Sequence, residues 1–269
     1  MRGSTAQNGP VPFTVSHVAA VLPLRREPTS RWALPAAPLV LGSMAPDLAS
    51  VLGQRELREV SHSLVGAVAV DLPLVAVSWL VWVHLLREPV RHLLPGVAAR
   101  WRPPAPRGRS ERLARWAAAA LVGIATHLAW DSFTHDDGWL TRHVELLQGR
   151  AGLLDVVDWL QLASSAFGIA VLAWWVVRWW RISESSGSPA VARGALPAAF
   201  ALAVLAALGA ALRAGPIVHE IVQSPLKRSA WRALVTLGLF GAAAGALVAA
   251  LLCGVVWRLA RPARATVEQ

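Results

Sequence analysis

The sequence predicts an all-α fold: a polytopic membrane helix bundle with about five spans and a broken or re-entrant segment near the N-terminus. Of the 269 residues, 55% are hydrophobic and only 16% are charged, and the mean hydropathy is +0.47. Fourteen tryptophans and no tyrosine fit a chain whose indole rings anchor it at the membrane surface. These values are typical of one helical membrane domain and unlike those of soluble domains.

The positive charge of the chain indicates membrane topology. The formal net charge is +10, which in a soluble protein can indicate nucleic-acid binding. Here the arginines lie between apolar runs, so we expect no nucleic-acid partner. The positive-inside rule makes the arginine-rich loop 87–115 and the tail 258–269 cytoplasmic.

The order of apolar and polar segments predicts the domain organisation. Residues 1–12 are polar and are expected to form a disordered leader. Residues 33–52 contain three prolines and Asp47, a pattern that predicts a short, broken or re-entrant helix. The longer apolar runs predict the spans Leu64–Leu86, Trp116–His135, Trp159–Trp180, Ala195–Leu212 and Ala233–Trp257. We therefore expect a metal-site membrane domain over 13–180, which includes the loop 87–115, followed by C-terminal transmembrane helices over 195–257 and the tail.

The end of the second span carries three side chains that can bind a metal. His127, Asp131 and His135 are spaced by four residues, so they lie within roughly 40° of one another on a helix. Ionisable groups are costly inside a membrane and by default mark a function. Imidazole and carboxylate ligands suit zinc, and also manganese or iron, whereas the single Cys253 excludes a cysteine-type zinc site.

More candidate ligands occur than one tetrahedral ion needs. The candidate metal ligands are His17, Asp47, His62, His127, Asp131, His135 and His143. This set predicts one to three divalent ions, with zinc the first choice and a carboxylate as a bridge. The topology also places His62 at the same outer membrane face as the end of the second span. The same polar groups can alternatively form an interfacial cluster without a metal.

Three residues are candidates for a direct part in catalysis: Asp131, Arg142 and Glu145. The guanidinium of Arg142 can stabilise a phosphate or another anion through its planar fork. Asp71 has two interpretations, since it can orient a ligand imidazole from outside the metal site or cap the helix break at Pro73.

Four motifs, in this order, resemble a family of bacterial membrane proteins called DUF4184. They are PFTVSHVAAVLPL, LVLGSMAPDL, SHSLVGAVAVDLPL and HLAWDSFTHDDGW. The resemblance covers about residues 12–168. The same order of His and Asp residues is similar to membrane-bound proteins of the YdjM type, which are classed as metal-dependent hydrolases. It is more distantly similar to the zinc-dependent phospholipase C and nuclease fold.

The resemblance implies a division of the ligands between ions. Asp47, His62 and His127 would be core ligands, with Asp131 as the bridge. His17, His135 and His143 would belong to a second ion. The phospholipase pattern also has an N-terminal tryptophan ligand, which this sequence lacks. The resemblance therefore implies neither a third ion nor specificity for phosphodiesters.

These patterns predict a membrane-bound, metal-dependent hydrolase that acts on an amphiphilic or lipid-linked ester or phosphoester. We expect it in the bacterial inner membrane, with membrane lipid or a lipid-linked molecule as its partner and the site near the outer face. A non-catalytic transporter, or a relay for metal ions or protons, is the alternative. A structural metal clamp is a third hypothesis. The concentration of ligands in the first half of the chain favours the hydrolase, because a transport path needs polar groups along several spans.

Overall fold

A computed structural model describes residues 14–24, 33–52, 54–100, 108–152, 154–183, 194–223 and 228–260. The expected leader 1–12 and most of the expected tail lie outside these residues. Within the described ranges most of the chain is helical, and the strands form one hairpin of two short strands. The all-α prediction is confirmed.

Short helices form the N-terminal part of the chain. A 3-10 turn, Thr14–His17, leads into α1 and a second turn, Leu22–Leu24, follows it. The helices are α1 (Val18–Val21), α2 (Ala36–Gly42), α3 (Ala45–Val51) and α4 (Arg55–Ser61). The predicted broken segment is thus the pair α2 and α3. Pro46 stands in the first turn of α3, where no helical partner exists for a backbone N–H.

Longer helices follow. The first span comprises α5 (Leu64–Gly66), a π-helical stretch Ala67–Asp71, α6 (Leu72–Val81), a second π-helical stretch Trp82–Leu86 and α7 (Arg87–Leu93). The remaining elements are α8 (Pro95–Ala99), α9 (Arg109–Thr134), α10 (Trp139–His143), a 3-10 turn Glu145–Gln148, β1 (Arg150–Ala151), β2 (Leu154–Asp155), α11 (Val156–Ile182), α12 (Ala195–Gln223) and α13 (Arg228–Ala260).

Five helical stretches are long and apolar enough to cross a membrane. They are Leu64–Leu93, Arg109–His143, Val156–Ile182, Ala195–Gln223 and Ala233–Ala260. The predicted number of spans is confirmed, and all five helical stretches extend further, at one end or both, than their apolar cores suggested. Both ends of the loop 87–115 are helical, whereas the sequence predicted a polar linker there. Long arginine side chains can remain hydrated at the membrane surface while their backbone stays helical.

Glycines allow the helices around the site to approach closely. A Cβ atom on Gly42 would collide with the carbonyl of Ala120, and one on Gly123 would collide with the carbonyl of Leu39. Helices α2 and α9 therefore touch backbone to backbone. Gly168 of α11 lies in the same way against Ser16. These contacts join α2 to α9, and α11 to the 3-10 turn before α1.

The last two helices form a hairpin. Gly209 and Gly241 lie against each other's backbone, so α12 and α13 pack closely. The guanidinium of Arg213 donates a hydrogen bond of 3.1 Å to the carbonyl of Ser50. This bond connects the hairpin to the C-terminal end of α3.

Candidate metal site

Polar side chains from three parts of the chain meet inside the helices. Asp47 comes from α3, His62 directly follows α4, and His127 and Asp131 lie one turn apart on α9. One ligand atom from each of these four residues lies within 4.8 Å of the other three. His62 is half-buried and the other three are buried.

The carboxylate of Asp131 stands between two groups of imidazoles. Its Oδ2 lies 3.2 Å from His127 Nε2 and 3.3 Å from His62 Nε2. Its Oδ1 lies 3.5 Å from His17 Nε2 and 3.4 Å from His135 Nδ1. Each oxygen of the carboxylate thus faces a different pair of histidines.

Asp47 joins the Oδ2 side of this arrangement. Its Oδ1 lies 3.8 Å from His127 Nε2 and 3.9 Å from His62 Nε2. Zinc binds nitrogen and oxygen at about 2.0–2.1 Å, which places tetrahedral ligand atoms about 3.3 Å apart. The group Asp47, His62, His127 and Asp131 therefore has nearly the dimensions of a site for one divalent ion.

In two imidazoles a backbone carbonyl fixes the proton on Nδ1. His127 Nδ1 lies 2.8 Å from the carbonyl oxygen of Ser43, and His62 Nδ1 lies 3.0 Å from that of Arg58. A carbonyl can only accept, so both Nδ1 atoms donate. A neutral imidazole has a single N–H, which leaves a lone pair on each Nε2 that faces the carboxylates. A lone pair opposite a carboxylate oxygen is favourable only when a cation lies between them.

Most polar atoms of the cluster lack a hydrogen bond. Among the described residues these atoms are both ring nitrogens of His17 and His135, the Nε2 atoms of His62 and His127, and both oxygens of Asp131. An unsatisfied buried polar group costs about 1–3 kcal/mol. Protonated histidines are a partial alternative, because the charges of Asp47 and Asp131 can neutralise two of the four imidazoles. The donor set fits a divalent cation better than a network of hydrogen bonds.

His17 has the chemical form that a metal ligand needs. Burial lowers the pKa of its imidazole to about 4, so the ring is neutral near pH 7 and keeps a lone pair. The ring stacks on that of His127, with centroids 4.1 Å apart. The contact between Gly168 and Ser16 holds this segment against α11.

His135 lies one residue beyond the end of α9. Its backbone is extended, with φ −120° and ψ 147°, and its N–H donates to the carbonyl of Asp131. The imidazole still faces Asp131, as the spacing of four predicted. The chain then turns at Gly138, whose close contact with the carbonyl of Asp131 leaves no room for a side chain.

The structure does not bring the three remaining candidates into the cluster. Arg142, His143 and Glu145 are exposed. His143 Nδ1 donates to the carbonyl of Trp139 over 2.7 Å, and its ring stacks on the Trp139 ring. The turn at Gly138 separates these residues from the face of α9 that carries the cluster. Their expected roles in a second ion site and in catalysis stay predictions without support from the geometry.

The sequence did not reveal the groups that orient the imidazoles. The carbonyls of Ser43 and Arg58 accept from His127 and His62, whereas Asp71 was one candidate for this role. Asp71 is fully buried, and neither of its oxygens has a hydrogen-bond partner among the described residues. Ser43 ends α2, and the last carbonyls of a helix have no partner within it. The helix break predicted for residues 33–52 was the available signal for such an acceptor.

A family model described as a domain of unknown function, DUF4184, matches residues 11–255. The chain belongs to the DUF4184 family. The match includes every candidate ligand and extends into α13. Comparisons with curated proteins and with solved structures gave no match. The description of DUF4184 names no activity, so the function of this member has to be inferred from its site.

Proposed function

We propose that this DUF4184 protein is a membrane-bound, metal-dependent hydrolase that acts on an amphiphilic or lipid-linked ester or phosphoester. One observation carries the proposal: Asp47, His62, His127 and Asp131 each provide one ligand atom, and these four atoms lie within 4.8 Å of one another. The bonds from His62 and His127 to backbone carbonyls support it, because they direct lone pairs toward this group of atoms. Zinc is the expected ion, and manganese and iron also suit these ligands.

Each residue has a role in this proposal. Asp47, His62, His127 and Asp131 would hold a first ion. His17 and His135 face Asp131 Oδ1 and would provide ligands for a second ion, which Asp131 would share. A divalent ion in such a site acidifies a water molecule and polarises the bond to be cleaved. The chain thus contributes the ligands, their orientation and the exclusion of bulk water.

The surroundings of His62 support an amphiphilic substrate. Its side chain is 16% exposed, whereas those of Asp47 and His127 are 0% exposed. The neighbouring Leu64 and Val65 are 86% and 75% exposed. Apolar side chains this exposed, in a chain with five candidate spans, fit contact with lipid. We expect the substrate to approach from this side, and we propose from the arginine distribution that this side is near the outer face of the inner membrane.

Elemental analysis of the full-length protein, purified in detergent, tests the proposal directly. We expect one to two equivalents of zinc, manganese or iron per chain, and loss of most of it in His127→Ala and Asp131→Ala. His84→Ala is the control, because His84 is an exposed histidine in the first span, outside the cluster. The metal-loaded protein should hydrolyse a member of a panel of phospholipids and phosphoesters. Wild-type protein without a transition metal, or an unchanged metal content in His127→Ala, would contradict the proposal.

A further inference from the structure

A loose ion pair joins the two chain segments that carry the more exposed candidate ligands. Arg58 Nη1 lies 4.0 Å from Asp137 Oδ2, and the two side chains are 21% and 44% exposed. Arg58 is one helical turn before His62, and Asp137 is two residues after His135. The pair therefore connects the end of α4 with the turn that follows α9.

The pair lies next in the chain to the two more exposed histidines of the cluster. The side chains of His62 and His135 are 16% and 10% exposed, whereas those of His17 and His127 are 0% exposed. Water thus reaches the cluster from the side of His62 and His135. Arg58 and Asp137 lie beside these two histidines in the chain and are themselves partly exposed.

The backbone of Arg58 is fixed while its side chain is weakly held. Its carbonyl accepts from both the backbone N–H and the Nδ1 of His62, so its position relative to the site is constant. Exposed ion pairs contribute only about 0–1 kcal/mol. A separation of 4.0 Å between the charged atoms is long for such a pair. An anion with better geometry can therefore replace Asp137.

We propose that Arg58 binds the phosphate group of the substrate beside the metal site, and that Asp137 pairs with Arg58 when no substrate is bound. The proposal rests on the hydrolase function and narrows its substrates to phosphoesters. A guanidinium binds phosphate oxygens through two parallel hydrogen bonds. A phosphate bound between Arg58 and the metal site would have its negative charge neutralised from two sides. Arg58 takes the place that the sequence suggested for Arg142, which is exposed on α10.

Binding of inorganic phosphate to the zinc-loaded, full-length protein tests this role by calorimetry. Arg58→Gln should weaken phosphate binding by about tenfold, since a charge-assisted hydrogen bond is lost. Arg58→Lys should restore part of the affinity, because a lysine keeps the charge without the fork. Asp137→Asn should strengthen binding several-fold, because it removes the competing carboxylate. Acetate in place of phosphate should bind more weakly and respond less to these substitutions.

A second exposed pair provides the matched control. Arg150 Nε lies 3.2 Å from Asp155 Oδ1 in the β1–β2 hairpin, and these side chains are 66% and 52% exposed. Arg150→Gln and Asp155→Asn make the same changes in charge and should leave phosphate binding unchanged. Equal effects from both pairs would indicate a general electrostatic contribution and would overturn the role of Arg58.

Metal content, measured on the same samples, separates this inference from the proposed function. Wild-type protein without metal would overturn both. A metal-loaded protein whose phosphate affinity is the same in wild type and in Asp137→Asn would overturn the role of Arg58 alone. Asp137→Asn also decides the matter if Arg58→Gln fails to fold, because it leaves the side chain of Arg58 unchanged.

Discussion

Asp131 is the residue on which the site depends, because its two oxygens face different imidazole pairs. Oδ2 lies near His62 and His127, and Oδ1 lies near His17 and His135. A carboxylate can bind a cation through either oxygen, whereas an amide has one oxygen and one NH2 group. Asp131 is therefore the position at which an isosteric change should disturb both halves of the site.

The first prediction concerns Asp131→Asn. We expect at least half of the bound metal to be lost, because the NH2 group must face one of the two imidazole pairs and cannot act as a ligand there. Elemental analysis measures the bound metal, and a thermal unfolding curve of the same sample shows whether the variant is folded. Asp155→Asn, the same change in the exposed hairpin, serves as the control. A full metal content in Asp131→Asn would show that this carboxylate is not a ligand.

The second prediction concerns Asp71. We expect Asp71→Asn to keep the full metal content, because His62 and His127 donate to backbone carbonyls and not to Asp71. The protein should unfold at an equal or higher temperature, since a buried carboxylate without hydrogen bonds is costly. Loss of metal in this variant would instead show that Asp71 supports a ligand from outside the site.

The sequence predicted the part of the site that depends on local geometry. The helical period alone places His127 and Asp131 on one face, and the structure brings His135 to the same carboxylate. Asp47 and His62 were candidates from their residue types, from the topology in the case of His62, and from the family resemblance, whereas their approach to α9 depends on tertiary packing. Periodicity does not extend past the end of α9, and there the turn at Gly138 takes His143 away from the cluster.

At the scale of elements, the crossing of α2 and α9 positions the site. Gly42 and Gly123 let the two backbones touch, and Ser43 directly follows Gly42. The same crossing thus brings the Ser43 carbonyl to His127 and the start of α3 to the same region. The sequence predicted the break in the N-terminal segment, because prolines and Asp47 mark it. The sequence contains no local signal for the helix against which this segment packs.

The third prediction tests this crossing with Gly123→Ala. The added Cβ would collide with the Leu39 carbonyl and lie 2.8 Å from the Ser43 nitrogen. We expect a loss of about 1–3 kcal/mol of stability, typical of overpacking, and a lower metal content. Gly215→Ala is the matched control, because a Cβ there meets no atom within 4 Å. That change in α12 should be neutral or stabilising by up to about 1 kcal/mol. Equal behaviour of the two variants would contradict the role of the crossing.

For the whole molecule, the described buried polar residues occupy one region. All of them precede residue 165, and none belongs to α12 or α13. The hairpin of α12 and α13 instead contacts the site region through Arg213 and the carbonyl of Ser50. A site confined to one part of the bundle favours local chemistry over a path for ions through the protein.

The fourth prediction distinguishes the hydrolase from the transporter or relay. Proteoliposomes that contain the wild-type protein should show the same flux of zinc and of protons as proteoliposomes that contain Asp131→Asn. The expected reason is that none of the buried polar residues in the described ranges belongs to α12 or α13. Fluorescent indicators inside the vesicles measure both ions. A flux that requires Asp131, together with no hydrolysis of any ester, would support the transporter or relay.

The break between α2 and α3 has a consequence for the biogenesis of the protein. Each of these helices has seven residues and extends roughly 10 Å, a third of the hydrocarbon layer. Neither helix can enter the bilayer as an independent span during synthesis. We therefore expect the segment with Asp47 to reach its place only after α9 has been synthesised and offers the glycine crossing. The candidate ligands that are separated in the chain are thus assembled late. The group is complete only after His127 and Asp131 of α9 have left the ribosome.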